Sequence, residues 1–270
     1  MTERRPTAAL YGPLRLLLPA LLLALALGGT GCSLLSPETR VPMPSETLRE
    51  AGPSGCTALL LPGRWDRMDA FDEHGFAEAA EAAGLDLGLV AADAHIGYYR
   101  EESVAPRLKA DVVEPLLERR RAVGDPDARV WMVGTSLGAV GSILYRFRHP
   151  DQVAGLVLIA PFLGEPDAED GVLEELRAAG SLAAWRPAEP VAEDDFERRI
   201  WLGLREILAS DTPVLLAYGT EDDLAPGHEL LARELPEERV FRRPGGHDWP
   251  IWTLLWEDVL ASGEICGAPV

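Results

Sequence analysis

Positive charge is what this chain lacks most. It holds 25 Lys and Arg against 44 Asp and Glu, a formal charge of −19 over 270 residues, and Lys109 is the one lysine. A surface this acidic repels phosphate backbones, which excludes nucleic acid as an expected partner. Cysteine is scarce, at three residues, and no histidine–cysteine set falls at metal-ligand spacing, so no metal is expected. No Gly-x-Gly-x-x-Gly follows an apolar strand, so no dinucleotide is expected, and the sequence gives no sign of any other cofactor. The chain has no internal repeat. The apolar block Leu16 to Leu27 is interrupted by Pro19 and is shorter than the roughly 20 residues that cross a bilayer.

That block follows Arg4, Arg5 and Arg15 and precedes Gly28-Gly29-Thr30-Gly31, the order of a secretory signal peptide over residues 1–31; the alternative is an uncleaved anchor. Gly29-Thr30-Gly31-Cys32 resembles the lipobox of bacterial lipoproteins, with glycine where leucine is usual at position 29. The resemblance implies lipid on Cys32, a membrane anchor and a location facing the periplasm. Residues 32–54 carry Pro37, Pro42, Pro44 and Pro53 with few large apolar residues, and are expected to be a tether. Cys56 and Cys266 then remain. In an exported chain an even pair is expected to bridge, and the alternative is two buried thiols.

Composition turns ordinary after the tether, with 47% hydrophobic residues overall, enough for one domain over residues 55–270. Short apolar runs alternate there with amphipathic stretches. Ala58–Leu61, Leu85–Ala91, Arg129–Val133, Val153–Ala160, Pro213–Tyr218 and Arg239–Arg242 read as strands. Asp69–Ala83, Val104–Ala122, Asp195–Ser210, Gly227–Leu235 and Ile251–Ala261 read as helices, with a kink at Pro115. Strands apolar on both faces between such helices predict an α/β fold, a mostly parallel central sheet with helices on both faces. Residues 162–194 fall between two core strands and are expected to form a small cap.

The strand Arg129–Val133 runs into Gly134-Thr135-Ser136-Leu137-Gly138, with a helix-compatible run behind it. A serine hydroxyl on a sharp strand-to-helix turn stands clear of the backbone, and only glycine fits the crowded flanks. In parallel sheets functional groups gather at the carboxyl ends of the strands. Asp222 and Asp223 follow the strand ending at Tyr218, and His247 follows the next one. The chain order Ser, Asp, His supplies a nucleophile, an acid and a base at one edge, as nucleophilic catalysis requires.

With these motifs the segment 56–263 resembles the α/β-hydrolase fold enzymes. The resemblance implies Ser136 as nucleophile, His247 as general base and Asp222 as the acid, with Asp223 the competing acid. It also implies an oxyanion hole from the main-chain N–H of Leu137 and one from the turn Pro62-Gly63-Arg64-Trp65, at Arg64 or Trp65. Phe162, Trp185 and Trp65 are candidate pocket residues. His95 and Tyr98 are placed either in the pocket or in packing beneath their loop. The implied activity is hydrolysis of a small-molecule carboxylic ester through an acyl-enzyme. The alternatives are acyl transfer or peptide cleavage by the same triad, and a non-catalytic binding module. Nothing in the sequence sets the oligomeric state.

Overall fold

A computed structural model describes residues 37–52, 54–192 and 194–266. The signal peptide and Cys32 lie outside the described residues. By its contacts the chain divides into Met1–Glu38 and Thr39–Val270, and every element below belongs to the second. Among the described residues no helix is long and apolar enough to cross a membrane.

In chain order the elements are β1 (Ser45–Arg49), β2 (Cys56–Leu61), α1 (Ala70–Glu73), α2 (Phe76–Ala82), β3 (Leu87–Ala92), α3 (Ile96–Arg100), α4 (Val104–Arg107) and α5 (Glu114–Ala122). They continue as β4 (Val130–Thr135), α6 (Leu137–Arg148), β5 (Val153–Ile159), α7 (Val172–Ala179), α8 (Phe196–Leu208), β6 (Val214–Gly219), α9 (Ala225–Ala232), β7 (Val240–Arg243) and α10 (Trp249–Ser262). The strands form a seven-stranded sheet in the order β1-β3-β2-β4-β5-β6-β7. Only β1 is antiparallel, against β3; the other pairs are parallel.

The period of two along each strand divides the core in two. Leu59, Leu61, Met132, Leu156, Leu158 and Leu216 face Ile143 of α6 and Trp201 and Leu204 of α8. Ala58, Leu60, Val133, Val157, Ile159 and Leu215 face Phe71, Phe76, Trp252 and Trp256 of α1, α2 and α10. Both sides are dry, which is why these strands read as unbroken apolar runs. The serine turn therefore lies mid-sheet, between two packed layers.

Four local expectations need correction. The tether does not run to residue 54, because Ser45–Arg49 pairs with β3 and Met43 is buried. A strand with one large apolar residue gives little pattern, and its stability comes from the ladder it joins. The helix expected over Asp69–Ala83 is broken at Gly75, which adopts φ +73° between α1 and α2. The helix expected over Val104–Ala122 widens into a π-type stretch at Leu108–Val113, directly before Pro115. Proline cannot donate an N–H to the preceding turn and crowds its carbonyl, and the wider turn absorbs both defects without ending the helix. The segment after Ala94, read as a loop, forms α3.

Cys56 and Cys266 are joined in a disulfide, with Cα atoms 5.7 Å apart and a sequence separation of 210. The bridge lies at the amino end of β2, away from the serine turn at the carboxyl end of β4. Within the expected cap, α7 is the one helix among the described residues, ending at Gly180 with φ +79°.

Candidate active site

Ser136 occupies the junction of β4 and α6 with φ +50° and ψ −112°, a strained conformation for a residue with a side chain. Neighbours hold it there. Its N–H donates to the Ile159 carbonyl at 2.8 Å, and its own carbonyl accepts from the Phe162 N–H at 3.4 Å. The flanking glycines are required by contact: a Cβ on Gly134 would overlap the backbone of Gly138 and Ala139, and one on Gly138 would overlap the Leu61 carbonyl. Ser136 is 9% exposed.

His247 reaches Ser136 from the loop between β7 and α10. Its Nε2 is 2.9 Å from Ser136 Oγ, and its Nδ1 is 2.7 Å from Asp222 Oδ2. A carboxylate only accepts, so Nδ1–H donates to Asp222 and Nε2 is left to accept from the hydroxyl. Asp222 is buried, while Asp223 is exposed and turned to solvent. Burial works against ionisation of Asp222, but hydrogen bonds from His247 and from the Leu224 N–H, at 2.8 Å, outweigh it and hold the carboxyl below its ordinary value. Two main-chain bonds tie the loops bearing Asp222 and His247 together: Thr220 N–H to the Arg243 carbonyl at 2.8 Å and Glu221 N–H to the Gly245 carbonyl at 2.9 Å.

No protein-family model matches the chain, and no curated protein matches it. Solved structures do. A monoacylglycerol lipase from Paleococcus ferrophilus superposes with a TM-score of 0.52 at 18% identity, over 82% of this chain and 99% of that one. A ferulic acid esterase gives 0.51 at 14%, over 81% and 96%. TT1662 from Thermus thermophilus gives 0.50 at 19%, over 83% and 98%.

The chain has the α/β-hydrolase fold.

In this α/β-hydrolase fold the turn after β2 comes next to the serine turn. A Cβ on Gly63 would sit 3.7 Å from Ser136 Cβ. Leu137 opens α6, whose first-turn amides have no partner inside the helix. Arg64 and Trp65 are both exposed, the guanidinium lying 4.8 Å above the indole, and Trp65 is 74% exposed. Phe162 is half-buried and stacks on Phe196 at 6.0 Å.

The other pocket candidates are buried, and for His95 and Tyr98 the structure shows the packing alternative. His95 is buried and caps α3, its Nδ1 accepting from the Gly97 N–H at 3.1 Å. Tyr98 is buried and clasps Arg40, donating its hydroxyl to the carbonyl at 2.8 Å and accepting from the N–H at 3.0 Å. Trp185 is buried in the cap, with Nε1–H donating to Glu175 at 3.0 Å. Each offers a large flat surface that the core takes before a substrate can.

Sequence reasoning passed over three residues next to the site. Trp252 stands edge-on to the His247 ring at 5.0 Å. Trp249 Nε1–H donates to Asp66 Oδ1 at 3.1 Å. His228 is fully buried, with its Nε2–H donating to the Pro161 carbonyl at 2.9 Å, and desolvation pushes its imidazole down to about 4. The two tryptophans stand two and five positions after His247, a signal that was available. His228 carried none, because a histidine on a helix has no mark of burial. Among the described residues no group of His, Cys, Asp and Glu is arranged to hold a metal ion.

Proposed function

We propose that this protein is a serine hydrolase that cleaves carboxylic esters through an acyl-enzyme. The observation that carries the reading is the continuous hydrogen-bonded relay from Ser136 Oγ through His247 to Asp222, on a serine held in a strained turn. Ser136 Oγ attacks the ester carbonyl carbon while His247 Nε2 takes its proton. The tetrahedral intermediate collapses, the alkoxide leaves with that proton as an alcohol, and an acyl-serine remains. Water then attacks the acyl carbon, giving a proton to His247, which returns it to Ser136 Oγ as the acid departs.

The negative oxygen in both intermediates is assigned to the N–H groups of Leu137 and Arg64. Each such donor contributes on the order of 3 kcal/mol of barrier lowering. Trp65 and Phe162 form the walls nearest the nucleophile in this reading. An ester is favoured over an amide because nothing in the chain marks a peptide-binding groove. The amino-terminal reading belongs to the same proposal: export, lipid on Cys32 and attachment to a membrane facing the periplasm.

Hydrolysis of p-nitrophenyl esters of graded acyl length by the full chain tests the activity. The proposal expects turnover that Ser136→Ala lowers by a factor on the order of 10⁴ or more, with the melting temperature retained. Turnover that persists in Ser136→Ala would place the chemistry elsewhere.

A further inference from the structure

The turn after β2 is braced from two directions. On one side Arg67 makes a two-pronged ion pair with Asp93, which is 3% exposed just beyond β3; Nε to Oδ1 is 2.6 Å, and Nη2 meets Oδ2. On the other side Asp66 accepts from Trp249 Nε1–H at 3.1 Å. Asp66 also closes the turn itself, through its N–H to the Gly63 carbonyl at 3.3 Å. Its Oδ2 lies against Gly63, where an added Cβ would come within 2.7 Å of it and 3.7 Å of Ser136 Cβ. Trp249 stands two positions after His247 and 183 positions after Asp66, so only the assembled fold brings the pair together.

The indole of Trp249 has little freedom to move. It stacks on His74 at 4.5 Å with planes 6° apart and meets Phe71 edge-on at 5.4 Å. It also meets Trp252 at 5.1 Å, and Trp252 in turn stands against His247. A rigid donor is thus set at a fixed offset from the base, and its acceptor is set at a fixed offset from Gly63.

We infer that Asp66 and Trp249 are positioning residues whose hydrogen bond keeps the Gly63–Asp66 turn, and with it a main-chain oxyanion donor, in register with His247. The inference rests on the reading of Ser136 as nucleophile. An offset of about 1 Å in such a donor is enough to cost on the order of 100-fold in rate, so one bond between the two loops has leverage on turnover. Substrate affinity gains nothing from it, because the donor acts on charge that develops only in the transition state.

A double-mutant cycle on the full chain, read by p-nitrophenyl acetate hydrolysis, tests this. Trp249→Phe keeps an aromatic ring in the cluster and removes only the N–H; Asp66→Ala removes the acceptor. Each is expected to lower kcat about tenfold with KM within about twofold, and the double variant to be no slower than Asp66→Ala alone. Asp66→Asn retains an acceptor oxygen and is expected to stay within about twofold of wild type, which a charge effect would not allow. Additive losses, an Asp66→Asn as slow as Asp66→Ala, or a Trp249→Phe at the wild-type rate would each overturn the inference while leaving the hydrolase reading intact. A wild type that neither hydrolyses the ester nor reacts with a fluorophosphonate would remove both.

Discussion

At the scale of single residues, the proposed chemistry depends on which tautomer the His247 ring holds. Asp222 accepts at Oδ2 from Nδ1–H and at Oδ1 from the Leu224 N–H, so the ring has its proton on the side away from Ser136. In Asp222→Asn the amide oxygen can keep the Leu224 bond, and the NH₂ then donates to Nδ1. That moves the ring proton to Nε2, where it faces the hydroxyl and cannot accept from it. A kcat loss on the order of 10⁴ with KM nearly unchanged is expected from steady-state kinetics. His228 offers a second residue-scale prediction. Its folded pKa of about 4 lies below the ordinary histidine value of about 6.5, so the unfolded chain binds this proton first as pH falls. The resulting stability is full above pH 6.5 and is lost progressively down to about pH 4, on the order of 3 kcal/mol in all. His228→Gln keeps a donor for the Pro161 carbonyl and has no such titration. Denaturant melts at pH 7.5 and pH 4.5 should find the wild type losing more stability than the variant; equal losses would mean His228 does not titrate as described. The pocket candidates that the structure buries share a cause. His95, Tyr98 and Trp185 are each buried and hydrogen-bonded, to Gly97, Arg40 and Glu175 in turn, contacts that no pattern of neighbours displays.

At the scale of elements, the serine turn depends on how closely α6 approaches β2. Gly138 packs its Cα onto the Leu61 carbonyl, which is backbone and cannot move aside as a side chain would. Gly138→Ala must push helix from strand, and a loss of about 2–4 kcal/mol is expected in thermal unfolding, with turnover falling because the turn shifts too. Gly124→Ala is the contrasting case for space, since an added Cβ there meets nothing within 4 Å, though its φ of +103° imposes its own strain. The five strands from β2 to β6 were legible because each is dry on both faces and so nearly unbroken in apolar residues. β1 was not, since SETLR offers the pairing of its backbone and little else. The helix break at Gly75 and the π-type stretch before Pro115 depend on main-chain strain relief, which leaves only a lone glycine or proline in the sequence. Ser136, Asp222 and His247 could be placed at one edge from sequence because strand ends in a parallel sheet converge, and the structure brings them into hydrogen-bonding contact. The clamp between Asp66 and Trp249 could not, because no local rule relates residues 183 apart.

At the scale of the whole molecule, the disulfide and the triad occupy opposite ends of the sheet. Cys56 starts β2 and Cys266 follows α10, so their bond closes nearly the whole domain into one loop. Removing it with Cys266→Ser should lower unfolding stability by about 2–5 kcal/mol. Ester turnover at 25 °C should stay within about twofold, because the bridge lies at the opposite end of β2 from the turn that flanks Ser136. A matching loss of turnover in the still-folded variant would mean that the two ends are coupled. In the proposed mechanism the relay through His247 to Asp222 makes Ser136 a nucleophile. Intact-mass measurement of the full chain after exposure to a fluorophosphonate tests it most directly. One adduct per chain is expected, mapping to the peptide that contains Ser136 and absent from Ser136→Ala; a folded wild type that takes up no adduct, or takes it up at another residue, would contradict the account.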